Sequence, residues 1–122
     1  MSTLSKIESY KDLLIWQKGM ELVKLTYLIT QSFPDEEKFG LTSQLRRSAI
    51  SIPSNIAEGY GRGTKAQYIN YLRIARGSLS ELETQFIICK ELEFLAEISE
   101  AIALIEEESK MINSLVKKLE KS

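Results

Sequence analysis

The sequence predicts an all-α protein that folds as an up-down-up-down antiparallel four-helix bundle. Apolar residues recur at steps of three and four over four long segments, and no segment shows the period-two alternation of a half-buried strand. Helix breakers are rare, because the chain has only two prolines and six glycines, and four of these glycines fall between residues 40 and 63. The 122 residues are expected to form one domain, 1–122, with helices at about 12–31, 42–58, 64–91 and 97–119.

The first helix is expected to begin near Asp12 and to end near Gln31. Its predicted core stripe follows steps of four, three and four through Trp16, Met20, Val23 and Tyr27. The stripe is widened by Leu22, Leu25 and Ile29. The segment Ser32-Phe33-Pro34-Asp35 breaks this pattern, and Gly40 ends the short acidic connection that leads to the second helix.

The second helix contains a proline but is still predicted to be continuous. Pro53 removes one backbone donor and crowds the carbonyl of Ala49, which favours a kink. The apolar stripe keeps its register on both sides, through Leu45, Ala49, Ile52 and Ile56. The helix is expected to run to about Glu58 and to be ended by the segment Gly59-Tyr60-Gly61-Arg62-Gly63, because glycine accepts the left-handed conformation found at helix ends.

The third and fourth helices carry the most regular patterns. Thr64 is the predicted N-cap of the third helix, with Gln67 three residues later. The third helix's predicted stripe is Tyr68, Leu72, Ala75, Leu79, Leu82, Phe86 and Cys89. The fourth helix's predicted stripe is Ile98, Ile102, Ile105, Ser109, Ile112, Val116 and Leu119. We interpret Glu106-Glu107-Glu108 as a solvated helix face, because consecutive residues point in different directions around a helix.

Residue usage gives no support for an enzyme or a metalloprotein. Histidine is absent, which removes the usual general base and the commonest metal ligand. The single cysteine, Cys89, lies in an apolar stripe and is interpreted as a small buried hydrophobic residue rather than a nucleophile. We therefore expect no catalytic residue, no metal site and no cofactor.

The same residue usage predicts where the protein is located. One cysteine cannot form an internal disulfide, and charged residues near the N-terminus stand where a signal peptide would need an apolar run. No uncharged stretch approaches the roughly 18 residues of a membrane span. The expected location is the cytoplasm, with no membrane partner.

Charge is distributed unevenly, although the formal net charge is only −1. Residues 46–76 carry six bases and one acid, a local +5, whereas residues 91–122 carry eight glutamates and four lysines, a local −4. The basic segment predicts a face that binds an anion or a nucleic acid. Its candidate contact residues are Arg46, Arg47, Arg62, Lys65, Arg73 and Arg76.

Structural roles for these cations are an open alternative. Arg46 and Arg47 are predicted to lie at the height of Glu81 and Glu83, so they can serve ion pairs within or between bundles instead of a nucleic acid. The segment Gly59–Lys65 offers free amides and cations at the start of a helix, which suits a phosphate or sulfate. The same segment is also explained as a plain turn between helices.

Two features predict self-association. The first and third helices carry more apolar surface than one small core needs, because Leu14 and Ile15 stand beside Trp16, and Ile87 and Ile88 beside Phe86. Gly77 and Ser78 lie midway along the third helix, where alanine would be more stable. A glycine there suits close approach by another helix, either internal or from a neighbouring copy.

The second helix also carries a resemblance to a known family. The run Leu-Thr-Ser-Gln-Leu-Arg-Arg-Ser-Ala-Ile-Ser-Ile-Pro-Ser-Asn-Ile-Ala-Glu-Gly, residues 41–59, resembles the signature of the four-helix bundle proteins, also called the 23S rRNA intervening-sequence proteins. The similarity extends to residues 12–18, 71–72 and 75–85. The chain departs from the pattern before its fourth helix, where relatives usually have a glycine in place of Glu93 and a serine-like cap in place of Ala96.

This resemblance implies a four-helix bundle that is commonly a homopentamer with a central channel. Some members are encoded inside insertions in 23S ribosomal RNA genes, and a similar accessory protein of diversity-generating retroelements binds nucleic acid and a reverse transcriptase. The family implies no catalytic residues. The expected partners are therefore other copies of the chain and either RNA or a nucleic-acid-bound protein. The alternative is a protein-partner scaffold without nucleic-acid binding, whose arginines serve the fold and the oligomer contacts.

Overall fold

The computed structural model describes residues 6–122, which form an all-α bundle as the sequence predicts. No strand occurs in this part of the chain. The helices are α1 (Leu14–Thr30), α2 (Leu41–Gly61), α3 (Lys65–Glu91) and α4 (Ser99–Lys121), with short 3₁₀ turns at Tyr10–Asp12 and Asp35–Glu37. Helix α2 packs between α1 and α3, and α4 packs between α3 and α1, which closes the bundle.

One hydrophobic core runs along the bundle, and α2 and α3 contribute to it as predicted. The α2 stripe is fully buried, and so is the α3 stripe from Leu72 to Cys89. The first residue of the predicted α3 stripe, Tyr68, is half-buried. Thr64 caps α3 as expected, because its hydroxyl accepts a hydrogen bond from the Gln67 amide at 3.2 Å. Periodic apolar patterns therefore identified the correct faces of these two helices.

Helix α1 buries a different line of residues from the predicted one. The predicted stripe is wrong by one position, about 100° around the helix, since Trp16, Met20 and Val23 are only half-buried and Tyr27 is exposed. Small residues on the buried line explain the difference: an added Cβ at Gly19 would lie 3.4 Å from atoms of both α2 and α4. The buried residues of α1 are Ile15, Gly19, Leu22, Thr26 and Thr30.

Helix α2 is one continuous helix through Pro53, as predicted. The predicted end near Glu58 is three residues early, because α2 continues to Gly61. The segment 59–63 does end the helix as predicted, and its left-handed glycine is Gly63, with φ 85°. Gly59 is buried against α3, where an added Cβ would lie 2.5 Å from the Cβ of Tyr71. Its missing side chain allows a close helix crossing instead of a helix end.

Glu108 is the charged residue buried in the core. It follows Ile105 by three positions and therefore lies on the inner face of α4, so the interpretation of Glu106-Glu107-Glu108 as a wholly solvated face is wrong for its third residue. Neither carboxyl oxygen has a hydrogen-bond partner among residues 6–122. Burial, and secondly the charge of Glu107, raises the pKa of Glu108 to about 8.

The loop between α3 and α4 contains one strained residue. Glu93 has φ 64°, in the left-handed region that favours glycine. The loop is held by backbone hydrogen bonds from the Leu92 amide to Ile88 and from the Phe94 amide to Cys89, both 2.9 Å. The chain therefore keeps a conformation that suits glycine at a position occupied by glutamate.

Candidate nucleic-acid interface

Four of the six candidate cations lie at opposite ends of α2, and the other two lie on α3. Arg46 and Arg47 lie in the second turn of α2, whereas Arg62 and Lys65 flank the turn that leads into α3. At a rise of 1.5 Å per residue, roughly 22 Å of helix separate Arg47 from Arg62. We call the second set, with two further arginines of α3, the turn group: Arg62, Lys65, Arg73 and Arg76.

The two members of the turn group nearest the turn have partners within the chain. Arg62 forms an ion pair with Glu58 at 2.9 Å and donates a hydrogen bond to the Tyr71 hydroxyl at 2.9 Å. Lys65 donates to the backbone oxygen of Ser122. An anion at this turn would have to displace those contacts, so the geometry favours the plain helix–helix turn.

The two α3 members of the turn group are also engaged, in both cases by α4. Arg73 forms an ion pair with Glu120. Arg76 donates a hydrogen bond to the side-chain oxygen of Asn113 at 2.7 Å. Exposed ion pairs contribute only about 0–1 kcal/mol each, so these contacts join α3 to α4 weakly while occupying the cations.

Arg46 and Arg47 differ from the turn group, because neither has a carboxylate within 4.0 Å in the described part of the chain. Arg46 donates through Nε to the Thr30 hydroxyl at 2.9 Å, and its guanidinium lies 4.3 Å from the centroid of the Tyr27 ring. Arg47 is exposed and makes no side-chain hydrogen bond to any residue of 6–122. The positive charges at this end of α2 are therefore available to a ligand.

The predicted pairing of these arginines with Glu81 or Glu83 within the chain is wrong. Arg46 faces α1 rather than α3, and the Ser48 hydroxyl takes the place of a cation by donating to Glu81 Oε1 at 3.1 Å. No ion pair of Glu81 or Glu83 occurs among the residues that the structure describes.

Arg46 and Arg47 line a cleft of about 590 Å³ between α1 and the start of α2, which we call the basic cleft. Phe39, also in its wall, is 90% exposed, and the ammonium of Lys38 lies 5.7 Å from the centroid of its ring. Three cations and two aromatic rings line this cleft without a carboxylate from residues 6–122, a composition typical of sites for unpaired nucleic acid. The lining residues are Tyr27, Lys38, Phe39, Thr42, Ser43, Arg46, Arg47, Ile50 and Ser51.

A second cleft, of about 370 Å³, adjoins the basic cleft and shares Phe39, Ser43 and Arg47 with it. We call it the Glu81 cleft, because Glu81 supplies its carboxylate. Gln85 in its wall is only 6% exposed, and its Oε1 has no hydrogen-bond partner within residues 6–122. The lining residues are Phe39, Ser43, Gln44, Arg47, Ser48, Glu81 and Gln85.

Sequence reasoning missed the non-arginine members of these clefts. Lys38 and Phe39 lie in the connection before α2, whose sequence indicates mainly acidic residues. The adjacent lysine and aromatic residue are the sequence feature that could have identified them as candidate ligand contacts. Tyr27 was assigned to the core. Gln85 carried no signal, because a glutamine in a helix is ordinary unless its neighbours in space are known.

Features outside the clefts give no second site. Cys89 is buried as predicted, and burial raises the pKa of its thiol to about 11. Across residues 6–122, no three or more histidine, cysteine, aspartate or glutamate residues are placed to hold a metal ion. None of the helices described is long and apolar enough to span a membrane.

Comparisons with known proteins show the family and the fold of the chain. Residues 11–114 match the family model described as 23S rRNA-intervening sequence protein. The chain is similar to the crystal structure of a protein with unknown function from the S23 ribosomal protein family of Bacteroides thetaiotaomicron VPI-5482, with a TM-score of 0.73 and 24% sequence identity. That match covers 85% of this chain and 99% of the other, and at this identity it shows the fold alone. No curated protein matches the chain.

Proposed function

The chain belongs to the 23S rRNA-intervening sequence protein family, and from this premise we propose that it is a non-catalytic, homo-oligomeric bundle that binds RNA through the basic cleft. The family description associates such proteins with a ribosomal RNA insertion, which supports RNA as the ligand. Binding takes place in the cytoplasm, where RNA is accessible to a protein without disulfides.

One observation carries the proposal: Lys38 and Arg47 of the basic cleft form no side-chain hydrogen bond or ion pair with residues 6–122, whereas each cation of the turn group does. A phosphate can contact Arg47 or Lys38 without first breaking an ion pair, and each such contact releases condensed counterions. Phe39 adds an exposed ring on which an unpaired base can stack. These two features together favour a loop or bulge of a structured RNA over a continuous duplex.

The test compares binding of an RNA hairpin with a large unpaired loop to the parent chain and to the double variant Lys38→Gln/Arg47→Gln. Two lost phosphate contacts should make the slope of log affinity against log salt shallower by roughly 1.4. The matched control is Arg62→Gln/Lys65→Gln, which removes two cations of the turn group and is expected to leave affinity and slope unchanged. Absence of RNA retention by the parent at low salt, or equal losses in both variants, would contradict the proposal.

A second candidate is a scaffold for a protein partner, with arginines that serve only the fold. The engagement of the turn group favours it, and so does an apolar groove of about 340 Å³ between α1 and α2, where Trp16, Met20 and Val23 are half-buried. Loss of stability or of oligomer mass in the Arg62→Gln/Lys65→Gln variant, with no RNA binding by the parent, would favour this candidate.

Self-association is the second part of the proposal, and the outer face of α3 supports it. Gly77 lies on this face, and an added Cβ there would meet no atom within 4 Å. Internal packing therefore does not explain the glycine, and a helix of a second copy does. Exposed apolar side chains on the same helix are Ile74, Ile87 and Ile88.

The resemblance to the intervening-sequence proteins favours a pentamer. Light scattering at micromolar concentration should then return about five times the chain mass of 13.9 kDa. A monomer mass under these conditions would exclude the homo-oligomer.

A further inference from the structure

The Glu81 cleft carries features that phosphate binding alone does not require. We propose that it binds the base of an unpaired guanosine, so that the protein reads one guanine in its RNA. This inference rests on the RNA-binding function proposed above and specifies which nucleotide the RNA presents.

The first argument is the arrangement of charge. Arg47 and Glu81 line the same cleft of about 370 Å³ and form no ion pair with each other, so both remain available to a ligand in the cleft. The Ser48 hydroxyl holds Glu81 through Oε1, and Oε2 accepts no hydrogen bond from residues 6–122. The cleft thus offers a guanidinium with free donors and a carboxylate with a free acceptor.

The second argument is the chemistry of the bases. Guanine has two adjacent acceptors, O6 and N7, which match a guanidinium, and two adjacent donors, N1–H and N2–H, which match a carboxylate. Adenine, cytosine and uracil each present at most one donor beside acceptors on the corresponding edge, so a carboxylate cannot take two hydrogen bonds from them. A cleft with one guanidinium and one carboxylate is therefore complementary to guanine among the four bases.

The third argument is continuity with the basic cleft. Phe39 and Arg47 line both clefts, so a base stacked on Phe39 remains connected to a sugar-phosphate chain that follows Lys38 and Arg46. Gln85 also lines the cleft, but its unpartnered Oε1 is buried. The carboxylate that a ligand can reach in this cleft is therefore that of the exposed Glu81.

The experiment measures fluorescence anisotropy with short uridine-rich RNAs that differ only at one central position. Guanosine is expected to bind roughly tenfold or more tightly than adenosine. Inosine, which lacks the N2 amino group, and 7-deazaguanosine, which lacks the N7 acceptor, should each lose part of this preference. Because these comparisons use the unaltered protein, they do not depend on whether a variant folds.

Variants then test which side chain contacts which edge of guanine. Glu81→Gln should remove the difference between guanosine and inosine without weakening the adenosine RNA, whereas the matched control Glu83→Gln should keep that difference. Arg47→Gln should weaken every RNA and also remove the difference between guanosine and 7-deazaguanosine. Equal loss of preference in Glu81→Gln and Glu83→Gln would contradict base reading by Glu81.

The outcomes separate this inference from the proposed function. Salt-dependent RNA binding with no base preference would overturn the guanine site and leave the RNA-binding proposal intact. Failure of all RNAs to bind would overturn the RNA-binding proposal, and guanosine monophosphate would then be titrated alone. Nucleotide binding that Glu81→Gln abolishes would show a site for the free nucleotide, and no nucleotide binding would overturn the site.

Discussion

Two glycines within helices, Gly59 in α2 and Gly77 in α3, have opposite surroundings. Each costs its helix roughly 1 kcal/mol relative to alanine. At Gly59 this cost is offset inside the chain, because the glycine allows α2 and α3 to cross closely. An added Cβ would lie 2.5 Å from the Cβ of Tyr71 and would prevent this crossing. Gly77 has no such neighbour, since an added Cβ would meet nothing within 4 Å.

The difference shows how a residue that lowers stability indicates function. Where the structure contains the compensating contact, as at Gly59, the residue is explained by the fold. Where it does not, as at Gly77 and at the unpaired Arg47, the compensating contact is expected outside the chain. Glu108 is an exception to this rule. Its buried carboxyl lowers the stability of the fold, yet it has no partner among residues 6–122 and is not accessible to a ligand.

The largest effect is expected at Glu108, through its protonation. Its folded-state pKa is about 8 against an ordinary value of 4.5. The unfolded chain therefore loses this proton at lower pH than the folded chain does. Stability should be highest below about pH 4.5 and should fall by about 1.4 kcal/mol per pH unit up to about pH 8, above which this group adds no further slope.

Glu108→Gln keeps the shape of the side chain and removes the ionisation. We expect the variant to be more stable than the parent by roughly 3 kcal/mol at pH 7 in urea unfolding, and by little at pH 4.5. The charged groups that influence Glu108 are Glu107, Lys18 and Glu21, so the control is Glu106→Gln, an exposed neighbour outside this set. Equal parent stability at pH 5 and pH 8 would show that Glu108 is not held neutral.

The next largest effect on stability is expected at Gly59. Gly59→Ala should destabilise the chain by roughly 2 kcal/mol, because the new methyl group forces α2 and α3 apart at Tyr71. Gly61→Ala, two residues later in the same helix, meets nothing within 4 Å and should not destabilise it. Thermal unfolding of both variants makes the comparison, and equal melting temperatures would place the close crossing in doubt.

The sequence predicted the buried face correctly in α2 and α3, where apolar residues form one regular stripe. In α2 and α3 the large apolar residues are also the buried ones, so the pattern and the core coincide. Helix α1 is apolar around much of its circumference, and its buried line contains Gly19 and Thr26, which a hydrophobicity pattern does not select. The same limit applies to Glu108, whose burial depends on neighbours from other helices.

The candidate site was predictable as a set of cations but not as a geometry. Counting charges from residue 46 to residue 76 found all six bases, yet it could not separate engaged cations from free ones. The partners of Arg73 and Arg76 lie 47 and 37 residues away in the sequence, so only the folded chain shows that these cations are engaged. Local composition therefore counted the four engaged cations of the turn group as candidate contacts and omitted Lys38 and Phe39.

A smaller effect is expected at the uncompensated glycine. Gly77→Ala should raise the helix propensity of α3 by roughly 1 kcal/mol. If a second copy packs against this position, the methyl group should nevertheless lower the oligomer mass in light scattering. Ser114→Ala, at an exposed position of α4, is the control and should leave the mass unchanged. A higher melting temperature with an unchanged mass would place the interface elsewhere.

The smallest effect on stability is expected at Glu93. Its backbone conformation is unfavourable, and no contact inside the described chain or to a proposed partner offsets that cost. Its φ of 64° disfavours every side chain with a Cβ, whereas glycine accepts it. Glu93→Gly should therefore stabilise the chain, although the greater freedom of glycine in the unfolded state limits the gain to roughly 0.5 kcal/mol. The measurement is urea unfolding beside the exposed neighbour variant Glu91→Gly, which lies at the helical end of α3 and should be destabilising. A loss of stability in Glu93→Gly similar to that in Glu91→Gly would show that the glutamate side chain stabilises the loop by more than its left-handed conformation costs.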